Sequence, residues 1–362
     1  MSASSPDISV RLPKPLRVFA WLSFLAEVII IGTGGAVRLT GSGLGCDQWP
    51  LCTPDSLVPT QELGIHGLIE FGNRTMTGVV GLLALTVLFL TLHAVGKKRL
   101  VMRAVWFALS GIVLAVVFYL IAHVIGTATH TPQFPSAAVA SAGLLIAVVV
   151  GAIDSLRRTR ARRDLSLLAW LVLAGVMAQA VVGGLAVLSR LNAFIVGFHY
   201  VSSLLLVCIT AAYVVRMKAV PGPRERAVPA WFAVLSHVTG LALAATILFG
   251  VLTTGSGPHS GDENVVRTGF DASVLAHVHS WPGYILAALV LAQLIAAWSL
   301  RLPPRRWLLV LALAIVVQVA VGIWQARNGL PPVFVGVHMM LASLSAAAYT
   351  VTVFSLKRPV QQ

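Results

Sequence analysis

The sequence predicts an all-α polytopic membrane protein: two tandem four-helix-bundle repeats with an inserted transmembrane hairpin, about ten transmembrane helices in all. Three observations carry that reading. The 362 residues are 57% hydrophobic and only 10% charged, with mean hydropathy +0.88, and a soluble domain of this size could not cover its surface with so few polar groups. Apolar stretches recur at close to the roughly 20 residues that a helix needs to cross a hydrocarbon core. Two pieces of the chain also match each other at a fixed offset.

The first stretch, 17–38, follows Arg11, Lys14 and Arg17. It is too long for a removed signal peptide and lacks a small-residue cleavage site, so it is expected to stay as the first helix. The remaining stretches lie at 68–95, 104–127, 135–154, 167–189, 194–215, 230–252, 272–299, 306–325 and 333–355. Every even-numbered exit is basic. Lys97, Lys98, Arg99 and Arg103 follow the second span, and RRTRARR (157–163) follows the fourth. Arg216, Lys218, Arg224 and Arg226 follow the sixth, Arg301, Arg305 and Arg306 the eighth, and Lys357 and Arg358 the tenth. By the positive-inside rule both termini are then cytoplasmic in a multi-pass protein of the cell membrane. The net charge of +14 sits in these short loops. It is a signature of topology, and it speaks against a nucleic-acid partner.

The odd-numbered exits face outward, among them the loop 39–65 with its CDQWPLC (46–52). That compartment permits disulfides, so a Cys46–Cys52 bridge pinning the turn around Trp49-Pro50 is favoured over two free thiols. Cys208, inside the sixth span, reads as an inert core residue.

The repeat is seen most clearly late in each half. QAVVGGLAVLSRLNAFIVGFH runs from Gln179 to His199, and QVAVGIWQARNGLPPVFVGVH runs from Gln318 to His338, an offset of 139. TGSG at 40–43 recurs at 254–257, an offset of 214, and setting Asn73 against His279 gives 206. The fall from 206 to 139 means that about 67 residues are present only in the first half, enough for the helical hairpin formed by the third and fourth spans. The expected organisation is therefore 1–96 as the first part of the N-terminal bundle, 97–163 as the insertion, 164–218 as the rest of that bundle, and 219–362 as the C-terminal bundle. Ligand sites are expected between facing helices within each half.

Ionisable groups inside membrane spans are costly and point to function. His66, Glu70, His199, His279 and His338 all lie at or near the outer ends of their helices. His279 and His338 come from two helices of one bundle, the arrangement that gives a haem two axial imidazoles. Hydrogen bonding between helices explains a single such histidine well and a repeated pair poorly. His199 stands at the position equivalent to His338, but Asn73 stands where His279 has its counterpart. His66, Glu70 and Asn73 share a helical face, so His66 is a candidate substitute ligand. Glu70, read as the only acidic residue inside an apolar span, is either neutralised by Arg74 or Arg38 or available for proton handling. The asymmetry suggests that one half binds a permanent cofactor and the other a substrate. His259, Asp262 and Arg267 form a polar outer loop that either orients haem propionates, closes the site or is simply solvated. His277, His123, His130, His93 and His237 carry weaker signals. The chain has no CxxCH, so no covalent c-type haem is expected, and it has no P-loop or dinucleotide fingerprint, so any reducing equivalents come from a separate partner.

Taken together, TGSGLGC…WPLC, HGLIEFGNR, the doubled Q-x3-G…H and TGSGPHSGD resemble the haem A synthase family, in a form like that of actinobacteria. The resemblance covers the chain apart from about 97–163. It implies oxidation of a haem O methyl group to a formyl to give haem A for cytochrome oxidase. It further implies haem b held by His279 and His338, haem O as substrate with His199 as a ligand, Glu70 as the catalytic carboxylate, and a Cys46–Cys52 disulfide. Many relatives read E-x-x-H-R where this chain has Glu70, Asn73 and Arg74, and the extra hairpin has no counterpart in their eight-helix pattern. Expected partners are a haem O-supplying synthase, an external electron donor or acceptor, membrane lipid and, in a homo-oligomer, a second copy of the chain. The rival readings are a quinol-linked, two-haem cytochrome b-type electron-transfer protein and a transporter.

Overall fold

The computed structural model describes residues 12–129, 136–259, 261, 262, 265 and 269–360. Arg11, His130 and Arg267, singled out above, lie outside them. The described residues form α1 (Lys14–Leu39), α2 (Gly64–Ala128), α3 (Ser136–Arg158), α4 (Arg163–Leu188), α5 (Ala193–Lys218), α6 (Ala230–Ser256), α7 (Ala272–Ser299), α8 (Arg305–Arg327) and α9 (Pro332–Phe354). A short antiparallel ribbon pairs β1 (Arg224–Arg226) with β2 (Lys357–Pro359). Among the described residues nine helices are long and apolar enough to cross a membrane, so the chain is a multi-pass membrane protein.

Nine helices stand where ten spans were expected because α2 contains two of them. Its 65 residues would reach roughly 100 Å if straight, about three bilayer cores. The run is broken at Lys97, whose φ of 55° and ψ of −166° are not helical. The preceding Gly96 leaves room there, since a Cβ would meet the Leu100 side chain at 2.6 Å. The basic KKR that reads as a loop in the sequence is thus a one-residue break between two helical arms.

Helix ends follow local chemistry. Proline precedes α6, α8 and α9 at positions 229, 304 and 331, where its missing N–H costs nothing. The ends of α4 and α8 are alike. Arg190 and Leu191 have φ of 52° and 58°, with Leu191 N donating to Ala186 O at 2.8 Å. Gly329 and Leu330 have φ of 73° and 57°, with Leu330 N donating to Gln325 O at 2.9 Å. Both bonds close the six-residue loop of a Schellman-type cap, and the positions differ by the 139 residues found in the sequence.

The chain divides into two compact units. One comprises Met1–Ser23, Val80–Val181 and Tyr213–Gly222. Here the second arm of α2 packs on α3 through small residues, for a Cβ on Gly111 would sit 2.7 Å from that of Ala147 and one on Gly143 would sit 2.8 Å from Ala115 N. Arg103 clamps Asp154 with bonds of 2.7 and 2.8 Å at the end of this pair. The buried Thr91 and Tyr213 hydroxyls meet at 2.6 Å.

The other unit comprises Phe24–Val79, Val182–Ala212 and Pro223–Gln362. Leu243, Leu286, Val290, Leu311 and Ile315 fill the centre of its α6–α9 bundle, and Val28, Ile31, Leu204 and Val207 join α1 to α5. Gln293, only 1% exposed, is held by Ser236 and Thr239. It is a polar tie between α6 and α7 with its hydrogen bonds made, the condition for burying an amide. Both candidate sites lie in this unit.

Candidate functional site

The first site grows from the CDQWPLC loop. Cys46 and Cys52 form a disulfide, and the Trp49-Pro50 peptide is cis. The loop hangs on one buried ion pair. Glu70, 4% exposed, accepts from Arg74 Nη2 at 2.5 Å and Nε at 3.2 Å through Oε1, and from Cys46 N at 2.6 Å through Oε2. Arg74 also donates to the carbonyls of Cys46 at 2.6 Å, Gln48 at 3.0 Å and Leu51 at 2.8 Å. Of the two arginines that the sequence offers as Glu70's partner, the pairing falls to Arg74. A buried pair with its remaining donors satisfied by carbonyls escapes the usual desolvation penalty.

The same loop meets α4 at Gly183-Gly184. A side chain at 184 would collide with the Trp49 ring, and one at 183 would sit 3.4 Å from His199 Cε1. Adjacent glycines therefore seat the loop's tryptophan and the α5 histidine side by side. His199 Nδ1 is buried and makes no hydrogen bond. Asn73 Oδ1 accepts from Thr33 Oγ1 at 2.7 Å, an arrangement that gives this amide a partner inside the protein. His66 is exposed, its Nδ1 lying 2.9 Å from Ser42 Oγ within the TGSG turn. The structure thus gathers Glu70, Arg74 and the disulfide into one frame, and attaches His66 and Asn73 to different partners.

The second site is a cavity of about 330 Å³ among α6, α7, α8 and α9, with Arg38 of α1 and Tyr200 of α5 completing its wall. That volume is in the range of small-molecule pockets. His279 and His338 face each other with ring centroids 6.2 Å apart and planes at 83°. Gly250 and Gly322 make space for them, for a Cβ would lie 2.8 Å from His279 Cε1 and 3.1 Å from His338 Cε1. His279 Nδ1 donates to Thr246 O at 2.9 Å, which fixes the tautomer and leaves Nε2 with its lone pair. Gln318 Nε2 donates to His338 O at 3.0 Å, while Gln318 Oε1 and His338 Nδ1 are buried without partners. At the start of α7, Asp271 accepts from Ser273 Oγ, Val274 N and Ser273 N, and these bonds hold its carboxyl below the usual carboxylate range.

This donor set fits a metal macrocycle. Two imidazole–metal bonds of about 2 Å put ring centres roughly 6 Å apart across one ion, close to the spacing here. Among the described residues no cluster of three or more His, Cys, Asp or Glu side chains could hold a bare ion. Two imidazoles suffice when a porphyrin supplies the equatorial ligands.

Three features escape sequence reasoning. Glu70 is not alone as an acid within an apolar span: Glu27, in α1, is 2% exposed with Oε1 unpartnered, and a census of acids in the first span would have found it. Arg38 and Tyr200 reach the second cavity from helices of the first half, which no local pattern reveals. Thr33 as the partner of Asn73 is equally invisible. Of the weaker candidates, His277 is exposed and bonded to its own helix at Ser273 O, and His123 stacks on Tyr119.

Fold and cavity define a class: a polytopic membrane protein whose helix bundle offers a paired-imidazole site. No family model matches the chain, and no solved structure matches it. Partial matches to curated proteins do. It is 36% identical over 114 residues to a protein of Exiguobacterium sibiricum named "Heme A synthase", covering 31% of this chain and 35% of that one. It is 34% identical over 114 residues to the same-named protein of Exiguobacterium sp., with the same coverage, and 38% identical over 85 residues to that of Lysinibacillus sphaericus, covering 23% and 27%. The matched part spans about a third of the length of the first of these relatives. Over these stretches the chain is similar to proteins that bear the name haem A synthase.

Proposed function

We propose that this chain oxidises a methyl group of haem O to a formyl group, giving haem A, with haem b resident between His279 and His338. The observation that carries the reading is the imidazole pair, 6.2 Å apart across an otherwise largely apolar cavity. It is joined by the partial likeness to proteins named for that synthesis. When bound, haem b supplies a one-electron redox centre, and the chain's own residues do the rest. Thr246 orients His279 through its Nδ1 proton, and glycines 250 and 322 leave both rings their room.

In the first half, His199 is the ligand offered to the substrate haem, with Trp49 beside it over Gly183-Gly184. Asn73 is tied to Thr33, so this site offers one firm ligand, which suits a substrate that must leave; exposed His66 is the candidate for a second. Glu70 is the catalytic carboxylate of this reading. Held by Arg74 and Cys46 N, it has both carboxyl oxygens occupied and can exchange a proton only when that clamp opens. Both termini are assigned to the cytoplasmic side, with both haem sites and the disulfide toward the outer face, on the basic exits of the even-numbered spans. The formyl oxygen comes from water, with the electrons passed to an external acceptor, or from dioxygen, with electrons drawn from an external donor; that redox partner and the supplier of haem O are separate from this chain.

The test is chromatographic identification of the haems that co-purify with wild type, Glu70→Ala and Cys46→Ser from cells that make haem O. Haem b with haem A in the wild type, haem O accumulating in Glu70→Ala, and a lowered haem A to haem b ratio in Cys46→Ser are expected. Haem b alone at two per chain in every variant would replace the synthase by an electron-transfer protein.

A further inference from the structure

We propose that Arg38 anchors a carboxylate arm of the tetrapyrrole held between His279 and His338, so that the first half of the chain supplies a binding residue to the cavity of the second. The inference rests on the haem reading of that cavity and assigns its polar end.

Arg38 lies in the last turn of α1, yet its side chain lines the cavity built by α6–α9. Its placement is determined from several directions. Nε donates to His259 O at 2.8 Å, and the His259 ring is itself fixed, Nε2 donating to Leu330 O at 2.7 Å. Gly43 N donates to Gly261 O at 3.1 Å and fastens the same loop to the residues that follow α1.

Toward the described residues the remaining guanidinium donors are open. Among the described residues Arg38 makes no ion pair and donates one hydrogen bond. Arg74 is the control within the same unit: its guanidinium reaches one carboxylate and three carbonyls. A cation facing an apolar cavity without a counter-charge is costly, and the cost vanishes if the occupant brings an anion. Gln325, in the last turn of α8, also lines the cavity and has its Oε1 buried without a partner. The polar groups left unsatisfied here thus share the end of the cavity near the α8 terminus and the 257–259 loop. A haem carries its two carboxylate arms on one edge, and a guanidinium takes a carboxylate in a two-bond fork.

The experiment is a spectral titration of the full-length protein, made without haem, using protohaem and its dimethyl ester, whose arms are uncharged. The wild type is expected to bind both with a bis-imidazole spectrum and to prefer the free acid by roughly tenfold or more. Arg38→Met should lose that preference by weakening binding of the acid while leaving the ester unchanged, and Arg38→Lys should recover part of it. Equal affinity of the wild type for acid and ester overturns the proposal without any variant, and so does an unaltered preference in a folded Arg38→Met. Failure of the wild type to give a bis-imidazole spectrum with either compound overturns the haem reading itself, and this inference falls with it.

Discussion

The two histidine sites of the second unit are built with one device and finished differently. In each, a glycine of the preceding helix, Gly183 or Gly322, opens the space into which a histidine 16 residues later projects. Across from His338 stands His279, its far nitrogen bound to Thr246 O, with a cavity between the rings. At the position matching His279 stands Asn73, whose carbonyl is already taken by Thr33. One site is open and lined by two facing imidazoles, while the other has an amide already bonded to Thr33 at the corresponding position. A resident cofactor requires the first arrangement and a transient ligand tolerates the second.

Breaking the open site should have the largest effect. His338→Ala is expected to remove the bis-imidazole signature and lower haem b content by at least roughly tenfold, measured by pyridine haemochrome and low-temperature EPR. A retained low-spin signal would place the cofactor elsewhere. Next comes the frame of the other site. Arg74→Leu leaves Glu70 buried and unpaired and should cost about 3–5 kcal/mol, read as a lowered unfolding temperature in detergent. Glu70→Gln keeps the shape and removes the charge, so if it unfolds at the wild-type temperature yet makes no haem A, Glu70 belongs to chemistry rather than to the loop.

A gain-of-ligand variant sharpens the comparison. Asn73→His combined with Thr33→Val should convert the closed position and add a second low-spin haem per chain. An unchanged haem stoichiometry would mean that the α1–α2 spacing, not the residue type, keeps that position shut. The smallest effect concerns the α7 cap. Asp271→Ala should lower thermal stability slightly. Because the folded carboxyl titrates below its ordinary range, the difference from wild type should be full at neutral pH and shrink as pH falls through the folded value. A difference that grew in acid would contradict the capping bonds.

How much of this was legible follows from the range of each signal. The helices were, because an apolar span is a local statement, and even the break at Lys97 lies inside the basic stretch that marks it. So was the meeting of His279 and His338, because two helices of one bundle carry them toward the same end. What could not be read were the links between distant segments: Arg38 entering a cavity formed by residues beyond 240, or Trp49 settling on Gly184. Such contacts follow from how helices assemble, and no period in a single sequence encodes them. Glu27 is a different case, since an acid inside the first apolar stretch is itself a local signal.

The span of Arg74 has a consequence for how the outer loop can vary. One guanidinium holds the carbonyls of residues 46, 48 and 51, and the carboxylate it holds grips the amide of Cys46. All four loop contacts are to backbone, so they are blind to side-chain identity at Asp47, Gln48 and Leu51. They are not blind to count: inserting or deleting one residue between the cysteines would shift the later acceptors out of reach. This clamp therefore leaves the side chains at 47, 48 and 51 free to drift over generations while it holds the loop's length constant.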